Sequence, residues 1–348
     1  MDMNLKMAFI KLPTKNIKNF LKMRIGLIGD PHFNVKNVKE MTEFVDKIME
    51  WLETTNPDIL VVLGDILHTH ATIYIKPLMT AIEFLTKCSK KCLTYLLIGN
   101  HDRPNNNNFL THEHPFNGIK IDNLTIVDIG LLETLVVDED TFKLAMVPYV
   151  PPGRFMEAYK KIVGDVTPDL VFAHQEFRGC DLGNSKSLDG DRWSRKNPPV
   201  ISGHIHIKQT LKNIHYVGTP MQHEFGDETD KGVHIVELTK EGLGPLEHFP
   251  LEICLKITKK IKINKLHNFK PDPNVSTRLI IEGTSEEIAA VRQTSRIKDL
   301  EKAGCKVLYK VKGNKKVQIK KINRRFLDVV YDILTPEELE IAKKVFCR

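Results

Sequence analysis

The sequence predicts an α/β protein with two sheets and a small α+β module at its C-terminal end. Three observations carry this. Apolar, largely β-branched runs at 25–28, 59–63, 96–98, 170–173 and 200–201 read as buried strands. Segments with helical periodicity separate the first three of these runs. Near residue 252 the composition turns basic, and a strand and helix pattern restarts on a smaller scale.

Taken in order, residues 1–22 form a basic N-terminal extension whose one acidic residue is Asp2, without the apolar core and cleavage site of a secretory signal. Met23-Arg24-Ile25-Gly26 opens the first strand. Residues 37–53 place Val38, Met41, Val45, Ile48, Met49 and Leu52 on one helical face, and Asn56-Pro57-Asp58 stops that helix. Ile75, Leu78, Met79, Ile82 and Leu85 repeat the pattern, so this half reads as parallel βαβ. Segments 124–128, 133–137, 142–147, 214–217 and 232–238 follow with few helical intervals and are expected to form the second sheet. A polar run at 105–108 reads as a solvated loop, and 178–197, with Trp193, as a lid or binding element.

The body is expected over 23–250 and the basic α+β domain with its helical tail over 251–348. In the latter, 278–282 reads as a strand, and Thr284-Ser285-Glu286-Glu287 is a capping box opening a helix that ends by Gly304. Residues 307–311 and 317–322 are expected to pair as a hairpin, and Thr335-Pro336-Glu337-Glu338 starts a last helix.

Composition narrows the function classes. Of 348 residues, 41% are hydrophobic and 27% charged, and no apolar run approaches the ~20 residues of a membrane span, so no membrane partner is expected. Six scattered cysteines, Cys88, Cys92, Cys180, Cys254, Cys305 and Cys347, show no framework spacing and fit a reducing compartment, cytoplasmic or nuclear. The net charge of +7 is uneven: residues 1–24 carry six basic and one acidic side chain, residues 252–348 carry 23 and 12, and the body between is left at −9. A basic appendage suits a polyanion, although its lysines also serve solubility.

Each strand run ends in residues that bind cations. These are Asp30-Pro31-His32, Gly64-Asp65, Gly99-Asn100-His101-Asp102, His174 and Gly203-His204-Ile205-His206. A lone Asp or His in a glycine-containing turn is ordinary turn chemistry. Five such fragments at successive strand ends are a different matter. Oxygen and imidazole donors without a thiolate suit Mn²⁺, Fe²⁺ or Zn²⁺ rather than a structural zinc cage. Two cations about 3.5–4 Å apart can clamp both the attacking and the leaving oxygen of a phosphate ester. Phosphoester hydrolysis is the chemistry this set suits.

In this order the fragments resemble the calcineurin-like metallophosphoesterase superfamily, over about residues 24–240. The resemblance implies a two-sheet sandwich flanked by helices. Within the superfamily, Gly64-Asp65-Ile66-Leu67-His68 resembles the SbcD-type DNA repair nucleases, and the Arg-Gly pair usual after this Asp in phosphoprotein phosphatases is absent. It further implies that Asp30, His32 and His206 hold one metal, that Asn100, His174 and His204 hold the second, and that Asp65 bridges them. His101 would contact the phosphate or protonate the leaving oxygen, with Asp102 orienting it. His68 would lie near the substrate phosphate, and His223, in Gly218-Thr219-Pro220-Met221-Gln222-His223, would line the site. His70, His112, His114, His215 and His234 match no role in the family.

The function expected from this is metal-dependent hydrolysis of DNA phosphodiester bonds by a two-metal hydroxide mechanism, with Mn²⁺ the first choice and Fe²⁺ or Zn²⁺ the others. The expected partners are DNA, an ATPase subunit of the SbcC type and a second copy of the chain. Two alternatives stay open: a metallophosphatase acting on phosphomonoesters or phosphoproteins, and a non-catalytic DNA-binding accessory protein.

Overall fold

The computed structural model describes residues 9–11, 22–137 and 139–311. Two compact units divide the chain, Met1–Ile257 with Asp272–Ser276 and Thr258–Pro271 with Thr277–Arg348.

The first unit begins with β1 (Phe9–Lys11), β2 (Met23–Ile28), α1 (Val38–Thr55), β3 (Ile59–Val62), α2 (Ile75–Ser89), β4 (Leu93–Leu97), β5 (Leu124–Val127), β6 (Leu131–Val137) and β7 (Asp140–Val147). It continues through α3 (Phe155–Val163), β8 (Leu170–His174), β9 (Val200–Gly203), β10 (Gln209–Leu211), β11 (Ile214–Tyr216), β12 (Gly232–Thr239), β13 (Gly242–Leu243) and β14 (Glu247–Pro250). Strands β2, β3 and β4 pair in parallel, with α1 and α2 as crossovers. Asn56 ends α1 in the left-handed region at φ 43°, its N–H on the Leu52 carbonyl.

Strand pairing corrects the expected sheet membership. β5 adds parallel to β4, and β12 returns antiparallel to β2, with Val236 opposite Ile25, so both belong to the first sheet. The first sheet runs β13-β12-β2-β3-β4-β5, with β14 also on β12. The second runs β1-β6-β7-β8-β9-β11-β10, with β7, β8 and β9 parallel. Alternating side chains disclose a strand's two faces but not its neighbours.

Burial on both faces of each sheet makes four layers. On β2, Ile25 and Leu27 pack into a core shared with Leu144, Met146, Phe172 and Ile201 of the second sheet. Ile28, one residue out of phase, joins Met41, Phe44, Ile48 and Phe84 under α1 and α2. The far face of the second sheet, Ala145, Val147 and Val171, packs on Phe155, Ala158 and Ile162 of α3, a helix the sequence reading did not anticipate. Each fully buried large side chain contributes about 1.5–3 kcal/mol. Trp193 is buried against Phe155 and Tyr159, with ring centroids 5.5 and 5.0 Å away, so the expected lid over 178–197 is pinned to this core at that residue.

The second unit holds β16 (Ser276–Gly283), α4 (Ser285–Arg292), α5 (Ser295–Lys302) and β17 (Lys306–Val311), with β15 (Lys256–Lys262) completing a sheet in the order β15-β16-β17. The capping box forms: Glu287 N–H donates to the Thr284 hydroxyl at 3.3 Å, and Thr284 N–H to the Glu287 carboxylate at 2.8 Å. The single helix expected up to Gly304 is broken in two where the Thr294 hydroxyl donates to the Val291 carbonyl at 2.7 Å. β17 pairs in parallel with β16. Its expected hairpin partner at 317–322 and the helix from Thr335 lie outside the described residues.

Candidate metal centre

The strands of both sheets deliver their C-terminal ends to one site. Asp30 and His32 follow β2, Asp65 follows β3, Asn100 and His101 follow β4, His174 ends β8, and His204 and His206 follow β9. Glycine makes the close approach feasible. A Cβ on Gly99 would stand 2.2 Å from the Asp65 carboxylate, and one on Gly64, at φ 104°, 2.5 Å from His174 Nδ1. His32, Asp65 and His204 themselves sit at φ 47°, 49° and 74°, backbone that costs about 1–3 kcal/mol each.

Donor atoms converge in two groups that share Asp65. Asp65 Oδ2 lies 3.3 Å from His174 Nε2 and 3.7 Å from His32 Nε2. On one side His32 Nε2 is 3.0 Å from His206 Nε2. On the other, Asn100 Oδ1 is 3.1 Å from His174 Nε2 and 2.9 Å from His204 Nδ1, and the two imidazole nitrogens are 3.3 Å apart. Asp30 is fully buried; its Oδ1 accepts the His204 N–H at 2.8 Å, and its Oδ2 has no hydrogen-bond partner. Among the described residues, Asp30, His32 and Asp65 and, separately, Asp65, His174 and His204 are groups able to hold a metal ion.

The hydrogen bonding behind these donors tests whether a cation fits. His174 Nδ1 donates to the Leu63 carbonyl at 2.7 Å, so the neutral ring turns the Nε2 lone pair toward a carboxylate oxygen, an amide oxygen and another imidazole nitrogen. That arrangement is repulsive unless positive charge occupies the middle. Without a cation the protons take its place. Burial presses His174 toward its neutral form, but Asp65 and Asp30 overcome this and raise it to about 9. Burial, joined by Asp65, pushes Asp30 up to about 7. Burial also opposes the charge of Asp65, yet His174 and His32 hold it well below the ordinary carboxylate range. His204 is pushed down to about 3 by burial and by His174, as suits a neutral ligand. The donor set fits divalent metal ions, and Asp65 belongs to two of the groups able to hold one.

His101 stands at the edge of this cluster, its ring 4.8 Å from that of His32. Its Nδ1 donates to the His68 carbonyl at 2.6 Å, which leaves Nε2 to give or take a proton. The orienting contact expected from Asp102 is therefore made by the His68 backbone. The Asp102 carboxylate instead accepts the N–H groups of Ile66, Leu67 and Gly99 at 3.3, 2.9 and 3.1 Å, joining the Asp65 and His101 loops. The exposed His68 ring lies 5.4 Å from His32, and His68, His32 and His101 form a third group able to hold a metal. His223 donates Nε2–H to the Asp30 carbonyl at 2.9 Å, so this nitrogen braces the Asp30 loop.

Two neighbours of the site went unnoticed in the sequence. Lys231, only 7% exposed, donates to the His206 carbonyl at 2.7 Å, and the Tyr149 ring lies 5.8 Å from that of His204. No motif flags Lys231; Tyr149 lies two residues past the strand run 142–147, the one signal that could have placed it at the rim.

A two-sheet sandwich that gathers carboxylates, imidazoles and an amide at its strand ends defines a metallophosphoesterase. Residues 23–208 match the model of the calcineurin-like phosphoesterase family, and the chain belongs to that family. It is 39% identical to "Putative phosphoesterase 244L" of Invertebrate iridescent virus 6 over 78% of this chain and 97% of that protein. It is 38% identical to "Putative phosphoesterase 078R" of Invertebrate iridescent virus 3 over 89% of this chain and 91% of that one. Among solved structures, GAP50, the anchor in the inner membrane complex of Plasmodium, matches 67% of this chain and 85% of its own at 11% identity and a TM-score of 0.42. Among the described residues no helix is long and apolar enough to cross a membrane.

Proposed function

We propose that this phosphoesterase is a nuclease of the SbcD type that hydrolyses DNA phosphodiester bonds with two divalent cations, Mn²⁺ before Fe²⁺ or Zn²⁺. The observation that carries the two-metal reading is the position of Asp65 Oδ2 between His174 Nε2 and His32 Nε2. Asp30, His32 and His206 would hold one cation, Asn100, His174 and His204 the other, and Asp65 both. When bound, such a pair supplies a nucleophilic oxygen at neutral pH and neutralises charge developing on the phosphate. His101, its Nδ1–H committed to His68, would give a proton from Nε2 to the departing oxygen. His68, its ring 5.4 Å from that of His32, would meet the phosphate, and His223 holds the Asp30 loop.

DNA is favoured as substrate by the charge split, a body at −9 followed by a segment with 23 basic and 12 acidic side chains. The Gly64-Asp65-Ile66-Leu67-His68 sequence also supports this branch. An ATPase subunit and a second copy of the chain are partners consistent with it. A panel of duplex DNA, single-stranded DNA, RNA and phosphomonoesters with Mn²⁺ tests the reading. Duplex degradation is expected. Turnover of phosphomonoesters alone would make the protein a metallophosphatase, and duplex binding without hydrolysis of any substrate would make it an accessory protein.

A further inference from the structure

A small pocket of about 270 Å³ opens beside His101, walled by His70, Ile73, Pro104, His114 and Pro115. It is built from the loops that follow β3 and β4, and His101 is common to it and to the metal cluster. Pockets for drug-sized ligands measure about 300–1,000 Å³, so this smaller volume suits one ring system. Its walls suit a flat ring. The His70 imidazole stacks on His101 with centroids 4.3 Å apart and planes 25° from parallel, and Ile73 and the two prolines add apolar surface. Polar capacity also remains in the wall. His114 Nε2 pairs with the Asp128 carboxylate at 3.0 Å, and Thr69 and Glu113 also line the pocket.

We infer that this pocket seats the base of the nucleoside that carries the leaving oxygen, and so selects the substrate on that side of the scissile bond. The inference rests on the nuclease reading above. A proton donor must stand beside the departing oxygen, so what that oxygen is attached to must lie on the His101 side of the phosphate. The pocket is the space on that side, and a nucleobase combines the flat face and polar edge that its walls can meet. Ile73, 50% exposed, and Ala71 at the rim are then specificity residues that take no part in the chemistry.

Three thymidine dinucleotides test this with Mn²⁺: the parent and the two analogues that lack one base or the other. The wild type should lose about tenfold in kcat/KM when the base on the leaving side is removed and little when the other is removed. Ala71→Trp, which fills the pocket, should bring the parent down to the value of the leaving-side abasic analogue, mainly through KM, and leave that analogue's rate unchanged. Ile73→Asp should act in the same direction. Equal cleavage of the parent and both analogues by the wild type, or a uniform slowing of all three by Ala71→Trp, overturns the pocket assignment while leaving the nuclease reading intact. Turnover of bis(4-nitrophenyl) phosphate with neither the dinucleotides nor duplex DNA cleaved refutes the nuclease reading, and the base assignment with it; duplex cleavage with no dinucleotide cleaved overturns the base assignment alone.

Discussion

The imidazole Nδ1–H of His174 is donated to the backbone carbonyl of Leu63 at 2.7 Å. This bond fixes the tautomer of a fully buried ring and turns its Nε2 toward Asp65, Asn100 and His204. The strand end thus decides what the side chain can bind. His174→Ala should lose one of two bound cations and about 100-fold or more in phosphodiesterase rate, because ligand orientation alone is worth about 10–100-fold. Elemental analysis beside bis(4-nitrophenyl) phosphate turnover checks both; full metal content in the variant would remove His174 from the ligand set.

On the proposed function, substitution of His101 should separate chemistry from metal binding. His101→Ala should lower kcat by about 10²–10⁴-fold on a substrate with a poorly departing alkoxide and leave metal content unchanged. The loss should be much smaller with 4-nitrophenolate, which departs without a proton. An equal loss on both substrates would argue against proton donation.

Asp102 acts on stability. Its carboxylate accepts three backbone N–H groups from two loops, so Asp102→Ala leaves buried donors unpaired at a cost of about 3 kcal/mol. Urea denaturation of the metal-free protein should show a lower midpoint with the slope unchanged. A wild-type midpoint would exclude this role.

Proton release should accompany metal loading. In the metal-free protein Asp30 is raised from 3.8 to about 7 and His174 from 6.5 to about 9, so the folded chain keeps protons that the unfolded chain has lost. The stability these protons contribute is full at low pH and is lost as pH rises through about 7 and then about 9. Cations compete with the same protons, so Mn²⁺ affinity should rise between about pH 6 and pH 8. Calorimetry in buffers of different ionisation enthalpy should show protons leaving on binding; binding without release would contradict the assignment of Asp30 and His174.

Much of the fold and of the candidate site was legible because the informative features are local. Helices α1 and α2 follow from spacing, and the site fragments fall where apolar runs stop, four of the five at polar, glycine-containing turns. What escaped depends on distant partners. β12 pairs with β2 from the other end of the body, and its own alternation is equally compatible with either sheet. Likewise, the sequence places Asp102 next to His101, but only the fold brings Ile66 and Leu67 to its carboxylate. Helix α3 carries Phe155, Ala158, Ile162 and Val163 on its buried face; at nine residues it is a short signal.

Anomalous scattering from crystals grown with Mn²⁺ tests the two-metal centre most directly. Two peaks are expected, one within reach of Asp30, His32, Asp65 and His206 and one within reach of Asp65, Asn100, His174 and His204, about 3.5–4 Å apart. A single peak, or an ion held by His32, His68 and His101 in place of the pair, would contradict it.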